Sequence, residues 1–525
     1  MTQLVASPFS VSRKLTSILF ISGLLAYTIL FFQAWSLDID FSHLFASQHG
    51  GNSSELSFAT DNYLAELIRK HDLSPQVEWA AWSIQSTQSQ EKWKSVTRLS
   101  RSFQPREPRL FDSRSSSDRS SPAPAFETLA LPSPQGWRPG QFDASRYLFG
   151  VSTTYERLME DDRAMLKNWQ WWLTDGREDG NGAHLVIMLD RADDEQIEEA
   201  ESALEALAIP AMVYNSGDAL STATRYAQLA GELHTYGLAL LAVGIAKTWF
   251  VLIDDAIFFP SLSYLDEKLD AYDSQDSVYI GVPSEQEDWA ARDGKLSTSG
   301  GGVVILSNDA LGRYLSLECA DMNEASDSSI HALRWTALLH ACMTTRGELP
   351  MHVIPGLYSP TADSSESSWL DDLEIGARPI ALRSHGPGRL DLARAYLVAD
   401  ECGEACFAQR FLFRDSWVLV NGVSISQYQR PIRIQGGRQR QDRARRELLS
   451  AQLQLNDAGG AGRVHLTGGG ARNVWKLLDS SADKDGTVWQ AYVKKNTRKK
   501  RVSEAEKQEQ LDSVIILIWN EGKRQ

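Results

Sequence analysis

With 525 residues the chain is longer than an ordinary domain of roughly 100 to 250 residues, so one small hydrophobic core does not account for it. Its 53 basic and 68 acidic side chains give a formal charge of −15, an average field that repels nucleic acid and suits a small ligand bridged by a cation. A hydrophobic content of 42% with 16 Trp excludes a wholly disordered chain.

In chain order, the first long feature is Leu15–Trp35, LTSILFISGLLAYTILFFQAW, which carries no charge and as a helix spans roughly 30 Å. It reads as a membrane anchor over residues 15–36. A cleaved signal peptide has a shorter apolar core and a small-residue exit, whereas this run ends in bulky aromatic residues before Asp38 and Asp40. Arg13 and Lys14 precede it, which by the positive-inside rule leaves residues 1–14 as a cytosolic tail and sends the bulk of the chain across, a single-pass type II topology. Asn52, in the Asn52-Ser53-Ser54 sequon, is then a glycosylation candidate on the lumenal side. Residues 37–140 read as a stem, largely flexible. A helix-like piece near Asp61–His71 is followed by RLSRSFQPREPRLFDSRSSSDRSSPAPAF, too rich in Ser, Arg and Pro to bury much apolar surface.

Order is expected over residues 141–430. YLFGVST from Tyr147, HLVIML over His184–Leu189, AMVY and WFVLI are short apolar strands. Helical spacing separates them over Tyr155–Leu173, Asp193–Leu207 and Ser221–Ala246. That alternation predicts an α/β fold, a mostly parallel sheet flanked by helices. Ligands of such sheets sit outside the carboxyl ends of the strands. Asp254 and Asp255 stand at one such end, in TWFVLIDDAIFF. As hard oxygen ligands they suit Mn²⁺ or Mg²⁺ carrying a diphosphate, or one of them a ribose; a plain turn or helix cap is the competing reading. In STSGGGVVILS, Gly300, Gly301 and Gly302 precede another apolar strand and permit either close ligand approach or a simple turn. Behind a membrane anchor the four cysteines are in an oxidising compartment. The segment CGEAC suggests a tight Cys402–Cys406 disulfide, leaving Cys319 and Cys342 as the second pair. A zinc site lacks paired C-x-x-C spacing and nearby His. Residues 431–525 begin with a basic linker, RPIRIQGGRQRQDRARRELL, and continue with VHLTGGG, VWQAYVKK and DSVIILIW as strands of a small C-terminal β-rich appendage. The basic run VKKNTRKKR reads as a solvated loop.

The ordered set FGVSTTYERL, TWFVLIDDAIFFPSL, YIGVPSE, STSGGGVVILS and CGEACFAQRFLF, followed by LVNGVSISQY, resembles fungal Fringe-like glycosyltransferases of family 31 from about Tyr147 to Tyr428. The tail VWKLLDSSADKDGTVWQAYVKK resembles the end of those chains. The resemblance implies a GT-A-like fold behind a type II Golgi anchor, with its catalytic domain in the lumen. The implied activity is transfer of a sugar from a nucleotide sugar, typically a UDP-sugar with Mn²⁺, to a glycan acceptor with inversion. In that pattern the strand ends in three acids; Asp254 and Asp255 match the first two, and Ala256 stands where the metal-binding acid is expected. Gly300, Gly301 and Gly302 match the glycine motif near donor and acceptor. Thr153, Thr154 and Arg157 lie where the first strand and helix approach the nucleotide, and Arg225 where a basic residue faces the donor, with a surface ion pair as the rival reading for each Arg. The segment PIALRSH places Arg383 and Ser384 where the family's metal-completing His is expected, with His385 displaced beyond them. Metal binding then falls to Asp255 with His385, or is lost, with Arg383 supplying the positive charge. Asp327, in ASDSSIHALRW, is the counterpart of the family's general base, and a helix N-cap is its competing role. The alternative for the whole chain is a catalytically inactive Fringe-like protein that binds a glycan or a partner enzyme.

If the anchor reading holds, alkaline carbonate extraction leaves the full chain in the membrane pellet, and protease outside sealed vesicles removes only the short N-terminal tail. Release into the supernatant excludes it.

Overall fold

The computed structural model describes residues 53–104, 108–114, 126–175, 179–217, 220–281, 302–317, 319, 335–354, 357, 373, 378–383, 391–436, 464–467, 469–483, 485–496 and 511–520. The run Leu15–Trp35 and the sequon residue Asn52 lie outside them, and among the described residues no helix is long and apolar enough to cross a membrane.

The expected parallel sheet is present. Four of its strands, β5 (Tyr147–Thr153), β6 (His184–Leu189), β7 (Ala211–Asn215) and β8 (Trp249–Asp254), run parallel to one another. Every residue of β5 is buried, as are the apolar residues of β6 and β8, because helices cover both faces and leave no polar side to alternate with. With β10 (Tyr279–Gly281), β11 (Val303–Ser307) and β12 (Met351–His352) they form a seven-stranded sheet of order β12-β10-β11-β8-β5-β6-β7. The β11 strand runs antiparallel to β8. The chain steps outward from β5 to β7, then returns to lay β8 on the other flank of β5. The strand order therefore reverses between β5 and β8, and a crevice is expected beyond their carboxyl ends.

Local chemistry sets the helix starts. The first helix, α1 (Ser53–His71), precedes the sheet; α2 (Tyr155–Leu173) is capped by Thr154, α3 (Asp194–Glu205) by a reciprocal Asp193–Gln196 capping box, and α4 (Thr222–Ala242) by Ser221. The helix expected to reach Ala246 stops at Ala242, where the chain passes through Gly244 at φ +89°. A break in α2 at Glu160–Arg163, with Asp161, Asp162 and Arg163 at φ 50°, 55° and 59°, was not foreshadowed by its helical spacing.

The second sheet corrects the expected boundaries. It contains β1 (Gln76–Gln88), β2 (Thr97–Arg98), β3 (Arg109–Asp112), β4 (Glu127–Ser133), β14 (Arg410–Leu412), β15 (Trp417–Val420), β16 (Ser424–Tyr428), β19 (Arg472–Ala482), β20 (Val488–Lys494) and β21 (Asp512–Asn520). The described part of residues 37–140 is therefore largely ordered, and β19 to β21 are central strands of a shared sheet rather than an appendage. The β1 strand lies parallel to β21, Val77 opposite Asp512 and Gln85 opposite Asn520, while β16 pairs with β19 across the expected boundary at residue 430. Two short pairs complete the strands, β9 (Ile257–Phe258) with β13 (Leu382–Arg383) and β17 (Arg433–Gly436) with β18 (Val464–Thr467).

The physical reason the stem reading fails is that β1 is buried on both faces. Val77 and Trp79 pack with Leu64 and Leu67 of α1, while Trp82 and Ile84 join the main core with Phe149, Trp249, Trp417 and Leu517. That core is continuous from the first sheet to the second. Asp479 of β19, 5% exposed, accepts from Lys70 Nζ at 2.9 Å and Arg394 Nη1 at 3.0 Å, tying the chain's two ends together.

Cys319–Cys342 and Cys402–Cys406 form the two expected pairs, with Cα separations of 5.9 and 5.8 Å. Inside the shorter loop, Glu404 is 6% exposed and accepts from Ser261 Oγ at 2.7 Å and Ser263 Oγ at 3.0 Å. Ser261 also caps α5 (Leu262–Leu269).

Burial pushes the Glu404 carboxyl up to about 7 from 4.5, against the two serine hydroxyls and Arg378, which pull it down. Between these values the folded chain holds a proton that the unfolded chain has lost. Stability from this group is therefore full at acid pH and falls as pH rises from about 4.5 to about 7. Asp400, raised to about 6 by burial, acts with the same sign. Glu404→Gln is expected to flatten part of this decline in melting temperature; an unchanged slope excludes a titrating Glu404.

Candidate functional site

The carboxylates of the Asp254–Asp255 pair are placed by different neighbours. Asp254 ends β8, opposite Ser152 in the parallel β5 pairing. Its backbone N–H donates to the Gly302 carbonyl at 2.8 Å, and Trp335 Nε1, from the start of α6 (Trp335–Thr345), donates to Oδ1 at 2.6 Å. The Trp335 indole stacks on Tyr226 of α4 at 3.9 Å and 4° between planes, and the Tyr226 hydroxyl donates to the Ile253 carbonyl at 2.6 Å. Burial, with the Asp254 and Asp255 charges adding to it, pushes the Tyr226 hydroxyl well above its ordinary range, so it stays a protonated donor. Gly302 is required here: it sits at φ +70°, and a β-carbon on it would collide with Asp254 Oδ2.

Asp255 follows in the turn. Thr153 Oγ1, at the end of β5, donates to its Oδ2 at 2.7 Å, and Arg157 Nη2 donates to its Oδ1 at 2.9 Å. The Asp255 side chain is 12% exposed and that of Arg157 46%. Thr154 caps α2 by accepting the Arg157 backbone N–H at 3.3 Å, which fixes the turn from which Arg157 reaches back. Thr153, Thr154, Arg157, Asp254, Asp255 and Gly302 thus gather at the carboxyl ends of β5 and β8.

Arg225 is near but differently employed. It is 9% exposed, its Nε donates to Ser152 Oγ at 3.0 Å, Nη1 to the Leu220 carbonyl at 2.9 Å, and Nη2 to Thr222 Oγ1 at 3.3 Å. Nη1 also pairs with Asp190 Oδ2 at 3.2 Å. The guanidinium expected to face a donor is instead committed within the wall of the crevice, because burial demands that each of its N–H groups find a partner. Asp190 itself directly follows the apolar run HLVIML, the same signal that singled out Asp254, and was overlooked. Trp335 and Tyr226 carry no such signal.

Gly300, Gly301, Asp327 and His385 lie outside the described residues. The backbone of Arg383 does return to the site, paired antiparallel with Ile257. Ala256 is 1% exposed. The expected Mn²⁺ does not fit the described residues. Both oxygens of Asp255 accept from protein donors, the Ala256 side chain has no oxygen to offer, and among the described residues no group of three His, Cys, Asp or Glu is arranged to hold a metal.

No family model and no curated protein match the chain. Solved structures similar to parts of it include the glycosyltransferase GlyE of Streptococcus pneumoniae TIGR4, at 11% identity and TM-score 0.30, over 46% of this chain and 55% of that one. The chain therefore spans 55% of the length of GlyE. The galactosyltransferase LgtC, with donor and acceptor sugar analogs, is similar at 12% identity and TM-score 0.28 over 46% of this chain and 88% of its own. Mouse xyloside xylosyltransferase 1 is similar at 12% and 0.26 over 46% and 98%. All three TM-scores are low, and none of these likenesses bears on the chemistry of the site.

Gly302→Ala is expected to lower unfolding stability by more than about 1 kcal/mol, since alanine at positive φ is strained and its methyl meets Asp254. An unchanged urea midpoint contradicts the contact.

Proposed function

We propose that the chain is a glycosyltransferase that moves a sugar from a nucleotide sugar, a UDP-sugar, to a glycan acceptor with inversion. The observation that carries the reading is the pair of half-buried carboxylates, Asp254 and Asp255, held beyond the carboxyl ends of β5 and β8 where the strand order reverses. A rigid β-strand, an indole N–H and a threonine hydroxyl hold these side chains, which is the preorganisation a binding crevice requires. Asp254, an acceptor of hydrogen bonds, suits hydroxyls of the ribose or sugar, whereas phosphate oxygens belong next to Arg157. In the transfer, an acceptor hydroxyl attacks the anomeric carbon from the face opposite the leaving group. The new carbon–oxygen bond forms as the bond to the diphosphate breaks, and a carboxylate takes the hydroxyl proton. Asp327 is the acid assigned to that base by the resemblance to fungal Fringe-like enzymes. A type II anchor in the Golgi with the catalytic domain in the lumen belongs to the same proposal.

A second reading, a glycan- or partner-binding protein without turnover, is favoured by Ala256, buried where the resembling family has its third acid. The two are separated by incubating the full chain with a panel of UDP-sugars, with and without Mn²⁺, and following donor hydrolysis and transfer. Turnover is expected, falling at least about 100-fold in Asp255→Asn, the loss typical of removing a group that organises charge in a site. Nucleotide binding without turnover selects the second reading, and unchanged turnover in the variant excludes Asp255 from catalysis.

A further inference from the structure

We infer that Arg157 is the chain's own phosphate-binding cation, taking at Asp255 the place a divalent metal would occupy, so that nucleotide binding is metal-independent. This deepens the nucleotide-sugar reading and rests on it.

The inference starts from how the two arginines of the crevice differ. Arg225 is spent: its Nε, Nη1 and Nη2 all bind partners inside the wall. Arg157 is anchored along one edge only. Among the described residues its guanidinium contacts Asp255 alone, through Nη2 at 2.9 Å, and its side chain is 46% exposed while that of Asp255 is 12% exposed. A guanidinium carries five N–H donors in a planar fork, so one edge held by a carboxylate leaves another edge aimed outward for bidentate binding to phosphate oxygens. The anchor is itself fixed, because Thr153 Oγ1 donates to the other Asp255 oxygen at 2.7 Å. With one oxygen bound by a permanent cation and the other by a hydroxyl, the Asp255 charge is already balanced, and a metal approaching it would meet the positive guanidinium. The Ala256 side chain supplies no further oxygen, and the residue is buried beside Ile257 and Phe258, which are 1% and 0% exposed. The same geometry orients the ligand. Asp254 repels phosphate and accepts hydroxyls, so the diphosphate lies toward Arg157 and the ribose or sugar hydroxyls toward Asp254. As the bond to the diphosphate breaks, the guanidinium neutralises charge appearing on the departing oxygens.

The test is calorimetric titration of UDP into the full chain, once in EDTA and once with excess Mn²⁺, using wild type, Arg157→Ala and Arg157→Lys, with melting curves to verify folding. Expected are wild-type affinities equal within about threefold in the two buffers, a loss of at least about tenfold in Arg157→Ala, and a smaller loss in Arg157→Lys, which keeps the charge without the fork. Binding of UDP that needs Mn²⁺ overturns the inference while leaving the nucleotide-sugar reading intact, as does normal binding by folded Arg157→Ala. Absence of UDP binding by wild type in both buffers overturns the nucleotide-sugar reading and this inference with it.

Discussion

The parallel pairing of β8 with β5 is the constraint on which the site depends. In its register Tyr147 faces Trp249 and Ser152 faces Asp254, so Thr153 and Asp255 emerge side by side beyond the ends of these strands. A slip of one residue would turn Asp254 to the opposite face of the sheet. Several interactions oppose that slip. Just before β8, Lys247 donates to the carbonyls of Ser145 at 2.8 Å and Gly182 at 2.7 Å, and burial lowers its ammonium group to about 8. At the other end Tyr226 grips the Ile253 carbonyl, and the Gly302 carbonyl accepts the Asp254 N–H. Between these pins the residues of β8 that precede Asp254 are apolar and buried.

The second sheet contributes rigidity rather than chemistry. Its strands from both ends of the chain close one apolar core with the first sheet, through Trp82, Trp417, Trp475 and Leu517 packed with Phe149 and Trp249. The Asp479 cluster and the Cys402–Cys406 loop fasten its margins, the latter by seating Glu404 against Ser261 and Ser263, just after the short strand β9. A partner-seeking polar group inside such a core is costly unless paired, which explains why Asp479 and Glu404 each collect more than one donor.

Within the crevice, burial decides the role of each charge. Arg225 and Asp190 neutralise one another inside the wall and support Ser152. Arg157 and Asp255 make the same kind of pair at the surface of the crevice, where the guanidinium keeps half its exposure. The same residue types thus serve as scaffold in one case and ligand contact in the other. Sequence position alone does not distinguish them, since both arginines lie on the first turn of a capped helix.

Local order was legible in the chain's own pattern. Continuous apolar runs such as YLFGVST and WFVLI mark strands covered on both faces, and Thr154, Asp193 and Ser221 mark helix starts because their side chains satisfy exposed amides. The acids ending β8 and the two cysteine pairs were readable for the same reason, each being set within a short stretch or by spacing. What joins distant stretches was not readable. The β1–β21 pairing links residues 435 positions apart, and Trp335 meets Asp254 across an 81-residue separation, contacts that no local periodicity encodes. Whether an arginine is buried and spent, like Arg225, or half-exposed and available, like Arg157, depends on what packs over it, and that is a property of the folded surface alone.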